Sequence, residues 1–248
     1  MRTDVTTVNN IRQRFTEDTS DQVKVWDLPV RVFHWALVFS IITAYTTHRL
    51  GVSYFTYHVW SGYAVIVLVS FRLIWGFIGT RHARFAQFVK GPRTISRYIA
   101  GLLRGEKHRH VGHNPLGAVM VVVLLAILGI QAMTGLFSND EIFNVGPLYG
   151  YVSKELSLQL SSLHRKLFYW ILVAVAIHVL AVLAHSTFKK EPLIRAMITG
   201  RKPYDWLMKK ESIPSSRTWL AVLVTVGLAA ALALLIDNAP ASIDDTVF

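Results

Sequence analysis

Histidine is the residue through which this chain can do chemistry. His82, His108 and His110 fall in or beside a strongly basic loop and read as solvated side chains. The other seven, His34, His48, His58, His113, His164, His178 and His185, fall in or at the ends of apolar stretches. Polar groups at membrane depth are expensive, and those that occur there tend to have a function. For any single histidine the structural alternative is hydrogen-bonded packing. His164 and His178, however, are fourteen residues apart in one apolar run. On an α-helix that interval returns to the same face within ~40° and separates the two rings by ~21 Å along the axis. Two metal macrocycles hung from one helix, one above the other, need this spacing. Neutral imidazole is a standard axial ligand of haem iron, and two imidazoles complete a six-coordinate site.

Each of two such irons needs a second ligand at matching depth. His34, at the start of the first apolar stretch, matches His178; His58, at the start of the second, matches His164. His48 is also fourteen residues from His34, and spacing alone leaves it as a rival to His58. Gly62, four residues after His58, leaves room beside that imidazole, and Gly117, Gly129 and Gly135 could do the same in the third stretch. Arg72 lies fourteen residues after His58, at the depth of His34 and His178. An arginine inside a span wants a partner, and a haem propionate suits its planar fork. Arg31 could serve the same group, and Arg165 and Lys166 one nearer the opposite surface; snorkelling to lipid phosphate is the structural alternative for all three. His113 with Asn114, and His185, sit at span boundaries, where a quinone ring would find hydrogen-bond donors and a proton source. The alternative there is a ring bonded to backbone or water.

The elements that must position these residues are transmembrane helices. More than half of the 248 residues are apolar. Five runs stand out: Val32–Thr47, short for a span, then His58–Gly79, Pro115–Phe137, His164–Phe188 and Trp219–Ile236, which approach the ~20 residues that cross a bilayer core. Short surface helices are expected over Thr94–Leu103 and Ser153–Leu163. The net charge of +11 is distributed between the runs rather than gathered on one module, which argues against nucleic acid and for membrane topology. Bases crowd the N-terminal tail, the loop after the second run (Arg81 to Arg109) and the segment after the fourth (Lys189 to Arg217). The alternate segments carry few: Arg49 in one, Lys154 in another, and none after the fifth run, where Asp237, Asp244 and Asp245 lie. The positive-inside rule then puts the N-terminus in the cytoplasm and the C-terminus outside. The chain divides into a cytoplasmic tail (1–31), a four-helix unit (32–190), a basic cytoplasmic segment (191–217), a fifth helix (218–236) and an outer acidic tail (237–248). The tail has no apolar core of a signal peptide. With no cysteine, the chain has no disulfide, no thiolate cluster ligand and no covalent c-type haem attachment.

Several stretches, in this order and spacing, resemble the bacterial di-haem cytochrome b family. They are VWDLPVRVFHW (Val25–Trp35), HVWSGY (His58–Tyr63), GHNPLG (Gly112–Gly117), TGLF (Thr134–Phe137), and HRKLFYW with its downstream IHVLAVLAH (His164–His185). That family includes cytochrome b561 and the b-type anchor subunits of nickel–iron hydrogenases and related periplasmic dehydrogenases. The resemblance covers about Val25 to Lys202 and implies an all-α integral membrane protein: a four-helix transmembrane bundle around two haems, here followed by a fifth, C-terminal transmembrane helix. It implies haem b held by His34 with His178 on the cytoplasmic side and by His58 with His164 on the outer side, and so favours His58 over His48. His113 and His185 match family positions that are not haem ligands in most members.

The resemblance further implies a bacterial inner-membrane electron-transfer subunit of a respiratory chain, joining a periplasmic redox partner (a cytochrome c or a dehydrogenase) to membrane quinone. A self-sufficient superoxide:quinone oxidoreductase of the same fold is the alternative, since Arg165 and Lys166 could attract a small anion. A transporter with an intramembrane histidine relay is a third reading, which an absorption spectrum separates. The chain carries no nickel, molybdenum or nucleotide motif and cannot by itself oxidise hydrogen or formate. Topology is directly testable: reporter fusions at Thr246 and near Lys107 should report opposite sides of the membrane. Same-side signals would mean that the fifth stretch does not span.

Overall fold

A computed structural model describes residues 22–106, 110–142, 144–203 and 212–240. Arg2, Arg12, Arg14, Lys107, His108, Arg109, Lys209, Lys210, Asp244 and Asp245, which entered the charge and histidine readings, lie outside these residues. Among the described residues eight α-helices follow in order: α1 (Leu28–Leu50), α2 (Phe55–Ile78), α3 (Phe85–Phe88), α4 (Pro92–Leu103), α5 (Pro115–Leu136), α6 (Lys154–Phe188), α7 (Leu193–Thr199) and α8 (Thr218–Asp237). Five of them, α1, α2, α5, α6 and α8, are long and apolar enough to cross a membrane. α1 lies along α2, α5 along α6, and α2 against α5, while α8 packs outside on α2.

The helix starts are set by side-chain caps, which satisfy amides that have no partner within the helix. Asp27 accepts from Val30 N–H at 2.7 Å to begin α1. Asn114 accepts from Gly117 N–H at 2.7 Å to begin α5, and Ser153 accepts from Leu156 N–H at 3.3 Å to begin α6. Two of these caps move a boundary. α1 starts at Leu28 and runs 23 residues, so the first span is not short. α6 runs unbroken for 35 residues, so the helix expected over Ser153–Leu163 is its first three turns rather than a separate surface element. The loop between α5 and α6 is tied to those turns. Ser157 Oγ donates to the Phe137 carbonyl at 2.7 Å, and Ser161 Oγ accepts from Asn139 N–H at 2.8 Å.

At the end of the bundle where α1 begins, two short strands pair. β1 (Gln22–Lys24) pairs antiparallel with β2 (Arg201–Pro203), with Val23 opposite Lys202. The turn before β2 requires Gly200. Its φ is 81°, and a Cβ there would lie 2.7 Å from the Trp26 carbonyl oxygen. The Gly200 carbonyl accepts from both Val25 and Trp26 N–H. The end of the N-terminal tail and the start of the basic segment are therefore parts of one folded unit with the bundle. Arg217 donates to the Ile78 carbonyl at 3.1 Å, and Ser216 Oγ accepts from Leu28 N–H at 3.3 Å, so the entry to α8 is fastened to the ends of α2 and α1.

Asp27 is the knot of this end. It is 1% exposed, and besides capping α1 it accepts from Trp75 Nε1 at 3.1 Å and from Thr80 Oγ1. One carboxylate thereby locks the start of α1 to the end of α2. Asp27→Ala loses a cap, worth ~1 kcal/mol, and strands two buried donors at about 1–3 kcal/mol each. Thermal melting in detergent should show Asp27→Ala well below the parent and Asp27→Asn, which can still accept, between them. Equal melting of all three would show that the carboxylate does not hold the helices together.

Candidate functional site

The four histidines singled out by spacing face one another in two pairs. His34 on α1 and His178 on α6 have ring centres 6.5 Å apart; His58 on α2 and His164 on α6 have ring centres 6.3 Å apart. Two imidazoles sharing one metal need about 2 Å of metal–nitrogen bond on each side and about 1 Å from each nitrogen to its ring centre, roughly 6 Å in all. Both pairs fit that span. Neither α1 nor α2 packs closely along α6, so each pair reaches across an interhelical gap. Among the described residues no three acidic or histidine side chains converge as ligands for a bare metal ion. Pairs of imidazoles suit instead an iron whose other four ligands belong to a macrocycle.

The outer pair is oriented by its neighbours. A carbonyl oxygen can only accept, so its histidine partner must be donating. His58 donates through Nδ1 to the Ala44 carbonyl at 2.9 Å, and His164 through Nδ1 to the Gln131 carbonyl at 2.8 Å. Each ring is thus fixed in the tautomer whose Nε2 lone pair is available to a metal, as metal-binding histidines characteristically are. In the inner pair, His34 Nδ1 is enclosed without a hydrogen-bond partner. His48 lies close to His58, with ring centres 5.8 Å apart, but its side chain is exposed whereas His58 and His164 are partly enclosed. Orientation and enclosure favour His58.

The glycines divide. A Cβ on Gly62 would meet nothing within 4 Å, so the space beside His58 is open. Gly135 lies against the His164 ring, since a Cβ there would lie 2.9 Å from Cε1 of His164. Gly129 faces Val69 and Gly117 faces only its own cap, Asn114; neither lies beside a paired histidine. One turn inward of His164, Phe168 stacks on Tyr45 of α1 with ring centres 5.6 Å apart and planes within 8°.

Arg72 is 3% exposed, and its guanidinium lies over the rings of Phe85 and Phe88 at 5.0 and 5.8 Å. Its Nη1 is enclosed and has no hydrogen-bond partner. Arg31 is engaged elsewhere: it donates to the Ile198 carbonyl and pins α7. Arg165 and Lys166 are exposed. The His113 ring sits between Trp26 and Phe88, with centres 4.7 and 4.6 Å away. Desolvation, then the charges of Arg72, Lys202, His82 and His178, push this imidazole down to about 3, so it is neutral at physiological pH. Asn114 spends its side-chain oxygen on the α5 cap. His185 donates through Nδ1 to the Ala181 carbonyl at 2.9 Å and keeps an enclosed Nε2. His82 is buried with its Nδ1 near Gly112, and His110 meets the Tyr98 ring edge-on, so neither is the solvated loop residue expected.

Sequence reasoning missed Asp27 and Lys202. The first carried a usable signal, an aspartate immediately before Leu-Pro at a helix start. Lys202 carried none, being one base among many in a basic segment.

Comparison with known proteins bears directly on this arrangement. The chain is 25% identical over 218 residues to a probable Ni/Fe-hydrogenase B-type cytochrome subunit of Rhodobacter capsulatus, covering 73% of this chain and 82% of that one. A subunit of the same description from Rhizobium leguminosarum bv. viciae is 26% identical over 216 residues, covering 73% and 88%. A probable Ni/Fe-hydrogenase 1 B-type cytochrome subunit of Escherichia coli K12 is 23% identical over 215 residues, covering 73% and 90%. No solved structure gives a significant match. The sequence model of the prokaryotic cytochrome b561 family matches residues 25–200, which include every paired histidine and exclude α8. The chain therefore belongs to the prokaryotic cytochrome b561 family and is a haem-containing, membrane-spanning b-type cytochrome of electron transport.

Proposed function

We propose that this chain carries electrons across a bacterial inner membrane between a periplasmic redox partner and the quinone pool, by way of two haems b. The observation that carries the reading is the pair of facing imidazole couples at two levels of α6. Haem b at each level supplies a one-electron couple. The chain's own groups do the rest. His34 with His178, and His58 with His164, would hold the two irons. The Ala44 and Gln131 carbonyls hold the outer rings in the ligating tautomer. The open space at Gly62 would leave room for the macrocycle, and Arg72, whose Nη1 is enclosed without a partner, would hold a propionate. The stacked Tyr45 and Phe168 rings occupy the interval inward of His164.

The relatives are named as subunits of nickel–iron hydrogenases. That favours a periplasmic dehydrogenase of this kind as the partner. The bases gathered after the second and fourth spans orient the N-terminus to the cytoplasm and the C-terminus to the periplasm. The quinone site then belongs at the cytoplasmic ends of α5 and α6, where His113, Asn114 and His185 lie and where a proton can be drawn from the cytoplasm.

Haem content and ligand variants test this reading. Acid–acetone should extract all the haem, and a pyridine haemochrome assay should give about two per chain; about one per chain, or haem that resists extraction, would overturn the two-site assignment. His164→Ala should empty the outer site and spare the inner one, and His178→Ala should do the reverse. His48→Ala should leave the spectrum unchanged while His58→Ala removes one low-spin signal; the opposite result would put His48 in the outer site.

Gly135→Ala makes a subtler check. The added methyl forces the His164 ring to move, so the outer low-spin signal should broaden or shift while the inner one stays. An unchanged outer signal would show that the ring is not held where Gly135 places it.

A further inference from the structure

The cytoplasmic end of the bundle encloses more positive charge than it neutralises. Arg72 is 3% exposed and Lys202 is 8% exposed. Both act electrostatically on the His113 ring, as does His178 of the inner pair, so the three converge on one region although they come from α2, β2 and α6. Asp27 acts electrostatically on Arg72, but its two oxygens already accept from Val30 N–H, Trp75 Nε1 and Thr80 Oγ1. Arg72 Nη1 is left without a partner. Among the described residues Lys202 reaches the His110 carbonyl at 3.5 Å, and Glu191 acts on it from beyond ion-pair distance. Burying a guanidinium and an ammonium costs several kcal/mol each unless an anion meets them. Lys202 is not there by accident of a loose tail. The β1–β2 ribbon fixes it opposite Val23, and the Gly200 turn fixes the ribbon to Trp26.

We propose that Lys202 joins Arg72 in a two-cation seat for a carboxylate, and that this carboxylate is a propionate of the haem held by His34 and His178. The inference rests on the ligand pairing proposed above and adds a residue outside every transmembrane span. The β ribbon then serves to carry a charge from the segment after α7 back under the bundle, to the inner haem. Two cations at the propionate raise the cost of oxidising the iron. Lys202 is therefore a determinant of the inner midpoint potential and has no effect on the outer one.

The test is spectropotentiometry of the purified holoprotein, with the inner haem identified in a His164→Ala background. Lys202→Gln should keep both haems and shift the inner oxidised-to-reduced ratio about tenfold towards oxidised at a fixed potential, ~59 mV for a one-electron couple. The outer haem should not move, and Lys202→Arg should restore the parent value. If Lys202→Gln fails to fold, Glu191→Gln reads the same field from the other side and should move the inner midpoint upwards. Midpoints unmoved in whichever of these variants folds, or both haems moving equally, would overturn the seat. So would a lipid phosphate as the true anion, seen as phospholipid lost from Lys202→Gln with the midpoint in place. If the parent protein itself lacks two bis-imidazole haems, the ligand pairing fails instead, and haem content measured beforehand separates the two failures.

Discussion

The molecule is organised by the interval between His164 and His178 on one unbroken helix. Fourteen residues at 1.5 Å each set two rings ~21 Å apart on nearly one face, and everything else must bring a partner to each level. α1 presents His34 low and α2 presents His58 high because the two helices run antiparallel, so an early residue of each lies at opposite ends of the bilayer. The ordinary rule of helix packing is suspended along that face. α6 packs along α5 but not closely along α1 or α2, and the rings reach across the gap. Helices in a membrane gain little from hydrophobic exclusion, since lipid is as apolar as leucine; they associate through packing and polar contacts. A bundle whose centre is spanned by imidazoles must therefore be fastened at its ends.

Both ends are. At the end where α5 gives way to α6, Ser157 and Ser161 of α6 bind the loop that follows α5. At the opposite end, Asp27 ties α1 to α2, the Gly200 carbonyl receives the chain before α1, and Ser216 and Arg217 attach α8 to the ends of α1 and α2. These are local, directional bonds at the ends of the spans, several of them buried, and they act together. They set the depth of His34 and His58 relative to α6. Depth decides whether two imidazoles meet one iron or miss it by a helical turn.

The parts of this arrangement legible in the sequence are those governed by periodicity and solvent. Apolar length marked the spans, the fourteen-residue interval set His164 and His178 on one face, and depth at the span starts matched His34 to His178 and left His58 and His48 as candidates for His164. Spacing did not decide between those two; the family resemblance favoured His58, and the physical reasons, where Ala44 and Gln131 place their carbonyls and which ring is enclosed, are long-range. Helix ends were read less well than helix centres. The start of α1 was placed at Val32, because Leu28–Arg31 lies among polar residues and its helicity comes from the Asp27 cap. The first turns of α6 are polar on one face for the same reason that they are helical: they hold the outer loop. The β ribbon left no trace, since three-residue strands paired across more than 170 residues have no periodic signature, and neither did the enclosure of His82 and Lys202, which long-range contacts alone produce.

In the arrangement proposed, two irons sit at two depths, each between a pair of imidazoles. Electron paramagnetic resonance of the fully oxidised protein, with spins counted against protein, tests it most directly. Two low-spin ferric signals are expected, each integrating to about one spin per chain, with no high-spin signal. A single low-spin signal, or a high-spin ferric signal that persists in intact protein, would contradict it.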